Sequence, residues 1–456
     1  MYPKLVKHIL FPLHEKIIGR ETFEYLDELE KLQWISPNEL EEVRFRKLRE
    51  LLLHANKNIP FYTRRFADAG FDPGKMQDID DFKIIPLLNK EEIQGNLDDL
   101  GWQDCPGGLQ KYNTGGSSGE PLIFYFDQRR QAYDMAARIL THRWWGIDKG
   151  DKELYLWGSP LEITKQDRIK NLRDFLTNDL LISAFEISPQ KIPGFVKQFR
   201  KFRPACLFGY PSTIALFCRM AAEQHFVLHD LGIRVVFSTA EVLYDYQRDS
   251  ISRYFGGIPV VDSYGSREGG FISHECPEGN YHVMDPNYVI EYLRDGEPIK
   301  PGEDGEIVIT HLDAWGMPFI RYRTGDMAQP GTGICKCGRG FSTMANIRGR
   351  TTDFIVTPDG RWQHALSLIY VVRDIKGVAE FKIIQDDVDD VRVLLKIHKD
   401  IYPSNGDELI VKGFKKRMCE DVKVTVEIVD DIARDASGKY RYVVSKVAAE
   451  GITTTR

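Results

Sequence analysis

Long apolar runs are missing: no uninterrupted stretch of the 456 residues approaches the roughly eighteen apolar positions of a membrane span. The opening MYPKLVKHILFPLHEKIIG has a short apolar stretch but neither a long h-region nor a clear small-residue cleavage site, which argues against a secretory leader. Cysteine is scarce. Seven residues, an odd and scattered set in so long a chain, do not make a secreted disulfide scaffold. An excess of one charge is lacking as well: 61 Lys and Arg face 67 Asp and Glu, mixed along the chain, for a formal charge of -6. That balance argues against a nucleic-acid binder, although a few local donors can still hold a small anion. These absences predict a cytoplasmic protein with no transmembrane segment; peripheral membrane contact and oligomeric state, an oligomer included, stay open.

What is present is a 42% hydrophobic composition, enough for an extensive core and more than one domain. Glu41 to Asn58 set Val43, Leu48, Leu51, Leu52 and Ala55 on one side of a helix, with Pro60 just beyond its end. IDDFKIIPLLNKEE, from Ile79 to Glu92, reads as an extended connector. Apolar runs then recur as LYLW from Leu154, CLF from Cys206 and IRVVF from Ile233. Between them lie helical patterns over Asp134 to Trp145, Thr213 to Ala222 and Tyr244 to Phe255. Strands and helices alternating at this spacing predict α/β layers.

From Glu306, EIVIT and PFIRYRTGD suggest strands and tight turns, hence a β-rich subdomain on the α/β part. After Gly349 the pattern restarts as DFIV, FKIIQ, VRVLLKI and VTVEIV around a helix near Glu408 to Met418, sufficient for a small α+β domain. The expected division is therefore a large domain over 1–349 and a small C-terminal one over 350–456. No repeat or low-complexity tail is evident.

The sharpest local signal is Tyr112-Asn113-Thr114-Gly115-Gly116-Ser117-Ser118-Gly119-Glu120-Pro121. Its glycines permit close backbone approach, and Thr114, Ser117 and Ser118 offer hydroxyls to phosphate oxygens. It is not the Walker pattern, since no lysine follows Gly119, nor does it have dinucleotide-fingerprint spacing. Alone it fits a solvent turn before FYF equally well.

This loop resembles the phosphate loop of the adenylate-forming enzymes, the superfamily of acyl-CoA synthetases and peptide-synthetase adenylation domains. Four later segments follow in the family order: SYGSREGG (263–270), YRTGD (322–326), RGR (348–350) and SGKYR (437–441). Most of the chain is similar to the phenylacetate-CoA ligase branch, with its polysaccharide-biosynthesis-associated and coenzyme-F390-synthetase-like relatives. The resemblance implies a carboxylate attacking the α-phosphate of ATP to give an acyl-adenylate and pyrophosphate, followed by displacement of AMP by a thiol, amine or other nucleophile. It implies phosphate contact by Thr114, Ser117 and Ser118 within the Thr114, Gly115, Gly116, Ser117, Ser118, Gly119 loop, and Mg²⁺ held near Glu268. Asp326 matches the residue accepting ribose hydroxyls, Arg350 the arginine that reaches the nucleotide, and Tyr264, followed by Gly265, the aromatic packed near adenine. Ser238, Thr239 and Ala240, with Glu241, occupy the adenine-side loop, but Thr239 and Ala240 replace its usual glycine-rich sequence. Lys439 matches the lysine that approaches the carboxylate and α-phosphate, and the family moves its small domain to bring that lysine in and take it away. The family's hinge acid pair is reduced here to Asp353, with Thr352 beside it. Taken singly, Lys439, Asp326 and Glu268 read as surface or turn residues.

Cys276 and His282 are separated by five residues, and Cys335 and Cys337 form a later C-x-C pair. Three thiolates and one imidazole suit four-coordinate zinc, in a structural role because no coordination position stays open. A cysteine and histidine site of this kind also occurs in some phenylacetate-CoA-ligase-like proteins. His274 is a further candidate ligand, and reduced buried cysteines with a surface histidine are the competing reading. Cys105, Cys206, Cys218 and Cys419 have no local partners and read as apolar packing.

Trp157, Phe208, Tyr210 and Phe237 are candidate walls for the acyl group by family position and local chemistry, although core is the more frequent place for large apolar side chains. They suit an aromatic or otherwise apolar small carboxylic acid. The resemblance favours CoA as acceptor, while the polysaccharide-associated relatives admit an amine, sugar or carrier-bound thiol. TPDGRWQHALSLIYVVRDIKG, with His364, departs from the usual phenylacetate-ligase connector. A noncatalytic ligand-binding or assembly protein that kept the fold is the remaining alternative.

Overall fold

The computed structural model describes the chain except for residues 1, 114–121, 158–176, 184–186, 188, 301, 349–353, 359–361, 365, 434–441 and 448–456. Two compact units divide it: Met1–Thr324 with Ala328–Ile347, and Gly325–Met327 with Arg348–Arg456.

In the large unit, a helix over Pro37–Asn58 starts at a capping box, where the Ser36 hydroxyl accepts from the Glu39 amide and the Glu39 carboxylate accepts from the Ser36 amide at 2.8 Å. Leu40, Leu48, Leu51, Leu52 and Ala55 are its buried apolar face, whereas Val43 is only half-buried. The segment expected to be an extended connector is instead a 3-10 helix over Ile79–Ile84 and an α-helix from Lys90. The cause is capping: Asp78 accepts from the Asp80 and Asp81 amides, and Asn89 from that of Glu92.

Gln110–Asn113 with Ile123–Phe126 make a separate two-stranded sheet, and twelve of the other described strands form one mixed sheet. Its parallel part runs Asp179–Ser183, Glu153–Trp157, Cys206–Gly209, Val235–Thr239 and Val260–Ser266. Side chains alternate between its faces. Leu154, Leu156, Leu207 and Val236 join Phe195, Phe199, Ile214 and Phe217 of the helices Ile192–Phe202 and Pro211–Glu223. Cys206, Phe208, Val235, Phe237 and Val261 form a second cluster with Ile147 on the opposite face. Burial on both faces explains why these strands read as continuous apolar runs. The sheet continues as Gly270–Glu275, Tyr281–Val283, Thr343–Arg348, Tyr322–Pro330, Gly305–His311, Tyr288–Arg294 and Glu297–Pro298, a β-rich section that begins at Gly270, earlier than the Glu306 start expected.

The small unit has a four-stranded sheet in the order Lys423–Ile428, Asp390–Ile397, Val378–Asp387 and Val443–Ser445, with helices Leu366–Arg373 and Gly406–Arg417. Alternation along Asp390–Ile397 buries Val391, Val393 and Leu395, which share the unit's interior with Phe381, Ile383, Ile410 and Phe414. The hairpin Phe354–Val356 with Trp362–His364 is tied in by buried Gln385: its Nε2 donates to the Val356 carbonyl at 2.6 Å, and its Oε1 accepts from the Ser445 hydroxyl at 2.7 Å. A large α/β part with a β-rich section and a smaller α+β part is thus the architecture. Among the described residues no helix is long and apolar enough to cross a membrane.

Candidate active site and metal centre

Open α/β sheets bind ligands beyond the carboxyl ends of their parallel strands, and several of the expected site residues stand there. Ser238 and Thr239 end one strand, and Ala240 turns away from it with φ of +66°. Glu241 then accepts a hydrogen bond from the Ser212 amide at 3.2 Å, a carboxylate set at the start of the Pro211–Glu223 helix. Three bonds lock this end to the next strand. The Ser238 hydroxyl donates to Asp262 at 2.8 Å, the Thr239 hydroxyl to the Ser263 carbonyl at 3.0 Å, and the Ser263 hydroxyl to the Ser238 carbonyl at 2.9 Å.

Asp262 was not singled out from the sequence. Its carboxylate also accepts from the Tyr281 hydroxyl at 2.9 Å, and its backbone amide donates to Glu275, which pairs with Arg248. Burial pushes its pKa up to about 6, against the lowering hydrogen bonds from Ser238 and Tyr281.

Tyr264 and Gly265 lie at a register shift where this strand meets Gly270–Glu275. A Cβ on Gly265 would collide with the Gly270 carbonyl oxygen, so the close approach requires glycine. The turn that follows carries Glu268, a buried residue. Its backbone is held on two sides. Arg130, on the Gln128–Arg143 helix, donates to the Glu268 carbonyl at 2.6 Å, and the Tyr288 hydroxyl donates to the Gly269 carbonyl at 2.8 Å. Neighbouring Arg267 donates to the Asn113 carbonyl at 3.0 Å. Asn113 ends the strand Gln110–Asn113, which pairs antiparallel with Ile123–Phe126. The turn bearing Glu268 is therefore bonded to the stem of the glycine and hydroxyl loop. Thr114, Gly115, Gly116, Ser117, Ser118 and Gly119 themselves lie outside the described residues, as do Arg350, Thr352, Asp353 and Lys439. Asp326 lies on the strand Tyr322–Pro330, half-buried, in the portion grouped with the small unit.

The candidate acyl walls come together on one face of the parallel strands. Trp157 stacks on Tyr210 with ring centroids 4.2 Å apart and meets Phe208 at 5.6 Å. Phe237 stacks on His142 at 3.9 Å, and His142 also reaches Phe208 at 6.3 Å. Behind the aromatics lies a buried charge cluster that the sequence reading missed. The Arg138 guanidinium sits over Phe208 at 5.1 Å, contacts Glu153 and donates to the Tyr155 hydroxyl at 2.5 Å, which in turn donates to Glu153 at 2.6 Å. Burial, reinforced by Arg138, keeps the pKa of His142 well below the usual imidazole range, so the ring against Phe237 is neutral. Arg138 and His142 are one helical turn apart, which is a signal of a shared face but names no partner.

Cys276 and His282, each one residue beyond the Glu275 and Tyr281 that bond Asp262, converge with Cys335 and Cys337, with all four ligand atoms within 4.8 Å of one another. The Cys276 and Cys335 sulfurs are 3.6 Å apart, too far for a disulfide and close to the roughly 3.8 Å edge of a tetrahedron with 2.3 Å zinc–sulfur bonds. His282 places Nε2 3.1 Å from the Cys337 sulfur and Nδ1 2.9 Å from the Phe341 carbonyl, an outer partner that would turn Nε2 inward. Burial pushes the Cys276 thiol up to about 12, a cost that a divalent cation offsets. Donor types, spacing and the outer partner all fit four-coordinate zinc. His274 is not in this group: it stacks on Phe271 at 5.5 Å, and its Nε2 has no hydrogen-bond partner among the described residues. His364 ends a strand of the small-unit hairpin.

Comparison with known proteins sets these features among relatives. Residues 355–446 match the family model described as the CapK C-terminal domain. The chain is 25% identical over 454 residues to protein CapK of Staphylococcus aureus, covering 98% of each chain. It is 26% identical over 340 residues to a phenylacetate-coenzyme A ligase of Pseudomonas putida, covering 72% of this chain and 74% of that one. Its fold matches the crystal structure of 2-hydroxyisobutyryl-CoA ligase in the postadenylation state with a TM-score of 0.75 at 17% identity, over 93% of both chains.

Proposed function

Because the chain belongs to the acyl-adenylate-forming superfamily, in its phenylacetate-CoA-ligase-like branch, we propose that it activates a small carboxylic acid with ATP and Mg²⁺ and transfers the acyl group to CoA. The observation that carries this reading is the bonded array at the carboxyl ends of the parallel strands. There Ser238–Ala240, Tyr264–Gly265 and the Glu268 turn follow one another, and Arg267 joins that turn to Asn113 at the stem of the hydroxyl-rich loop.

In the first half-reaction a carboxylate oxygen attacks the α-phosphorus, the bond from that phosphorus to the bridging oxygen breaks, and pyrophosphate leaves. In the second, the CoA sulfur attacks the acyl carbon, the acyl–oxygen bond breaks, AMP leaves, and the thiol proton passes to solvent. Thr114, Ser117 and Ser118 hold phosphate oxygens in this scheme, and Tyr264 with Ser238–Ala240 borders adenine. Asp326 accepts from the ribose hydroxyls and Arg350 reaches the nucleotide. Lys439 supplies positive charge where the phosphorane is most negative, a contribution larger in the transition state than in either ground state. Glu268 would hold Mg²⁺, whose charge would offset that of the phosphates during in-line transfer. Trp157, Phe208, Tyr210 and Phe237 enclose an aromatic or apolar acid. Cys276, His282, Cys335 and Cys337 hold a structural Zn²⁺ at a closed site. Residues 350–456 act as the small domain that carries Lys439, in a protein of the cytoplasm.

A second acceptor class has one observation in its favour. Similarity to the phenylacetate-CoA ligase covers 72% of the chain, and residues 355–446 match a family model of their own. Transfer to an amine, a sugar or a carrier-bound thiol is the corresponding reading. Product masses after incubation with ATP, Mg²⁺, an acid panel and each acceptor class test both. Acyl-CoA with stoichiometric AMP supports the first reading, an amide, ester or carrier thioester the second, and the absence of any acyl product with any acid refutes both.

A further inference from the structure

The first sixteen described residues form one continuous helical segment, Tyr2–Ile17, with a wide i→i+5 turn over Val6–Leu10. One face is well anchored. Val6, Phe11 and Glu15 are buried, Phe11 packs edge-on against Phe23 with ring centroids 5.7 Å apart, and Lys7 pairs with Asp148 at 2.5 Å. Buried Glu15 takes hydrogen bonds from the Thr22 hydroxyl at 2.5 Å and from Arg20 at 2.7 Å.

The opposite face is apolar and bare. Leu5, Ile9, Leu13 and Ile17 are 40%, 55%, 53% and 74% exposed, a row at strict four-residue spacing. In a regular α-helix such a row drifts by about 40° per step, and the wide turn takes back part of that drift, keeping the four side chains in one stripe. Scattered exposed aliphatics need no explanation, but an aligned row does.

The flanking charge says what covers it. Lys4, His8 and Lys16, each one position before a stripe residue, form a parallel exposed row. The sole acid among the first twenty residues is Glu15, which is buried, so the exposed ionisable side chains of the helix are all basic in a chain of net charge -6. An apolar stripe with a basic flank is the signature of a helix lying in a membrane interface, drawn to anionic headgroups while its aliphatics enter the acyl boundary. A second copy of the chain fits less well: two-fold pairing of antiparallel helices would set each basic row against its own copy. Sixteen residues are also too few to span a bilayer.

We propose that the Tyr2–Ile17 helix is a peripheral docking surface for anionic membranes, placing the large unit on the bilayer without crossing it. The purified full chain should co-sediment with phosphatidylcholine vesicles that contain phosphatidylglycerol, bind pure phosphatidylcholine much less, and release in high salt. Ile9→Glu with Leu13→Glu, both at exposed positions, should weaken vesicle partition about tenfold or more. Lys4→Glu with Lys16→Glu should remove the preference for phosphatidylglycerol, and both variants should keep wild-type circular dichroism. Absence of vesicle binding, or binding that survives Ile9→Glu with Leu13→Glu, overturns the proposal. So does a solution dimer that this double variant dissolves while no vesicle binding is seen, which would assign the stripe to a second copy.

Discussion

Replacing Asp262 by Asn probes the linkage between the two strands that bear the candidate adenine-side residues. In the folded protein burial raises the Asp262 pKa to about 6, from about 3.9 in an unfolded chain. A carboxyl whose folded pKa is raised contributes stability that is fully present below about pH 4 and lost as the pH climbs through about 6. Two units at 1.36 kcal/mol each make that loss about 3 kcal/mol. Asn cannot ionise, and its amide can still accept from Ser238 while Tyr281 turns to accept from Asn Nδ2. The variant should therefore match or trail the wild type near pH 4 and gain on it by about 3 kcal/mol by pH 7. Urea midpoints of both proteins between pH 4 and 7.5 give the difference directly, and other titrating groups cancel in it. A difference that stays flat across that window, or that favours the wild type at pH 7, refutes the reasoning.

Three further outcomes are expected. Lys439→Ala should slow acyl-adenylate formation by about 10² to 10³ with unchanged circular dichroism; unaltered adenylation kinetics would reject its role. Cys335→Ser with Cys337→Ser should lose bound zinc by elemental analysis and lower the thermal midpoint, and metal-free wild-type protein purified without chelators would defeat the assignment. Phe208→Ala opens a void among Trp157, Tyr155 and His142 and should cost about 3 to 5 kcal/mol of stability. It should raise the KM for the acid while leaving that for ATP, and equal shifts in both would move Phe208 out of the acyl pocket.

Legibility from sequence tracked the range of the interaction. Strands buried on both faces, such as Cys206–Gly209, announced themselves as apolar runs, and alternation in VRVLLKI gave the small-unit strand Asp390–Ile397. Ser238, Tyr264, Gly265 and Glu268 could be named as candidates because they sit in short ordered segments. The connector after Ile79 was misread because its apolar residues hid two caps, Asp78 and Asn89, whose side chains turn the backbone into helix. The cluster of Arg138, Glu153 and Tyr155 depends on a helix packing over a strand, and the bond from Arg267 to Asn113 crosses 154 residues. No local pattern encodes such pairings. The cysteines were legible as donors by type, but the 3.6 Å approach of Cys276 to Cys335 across 59 residues is a product of the folded sheet.

The measurement that bears most directly on the account is the return of labelled pyrophosphate into ATP with purified protein, Mg²⁺ and a panel of aromatic and aliphatic acids. Reversible adenylation predicts exchange that requires a matching acid and collapses in Lys439→Ala. Exchange absent with every acid, or equally fast without acid, contradicts carboxylate activation at this site.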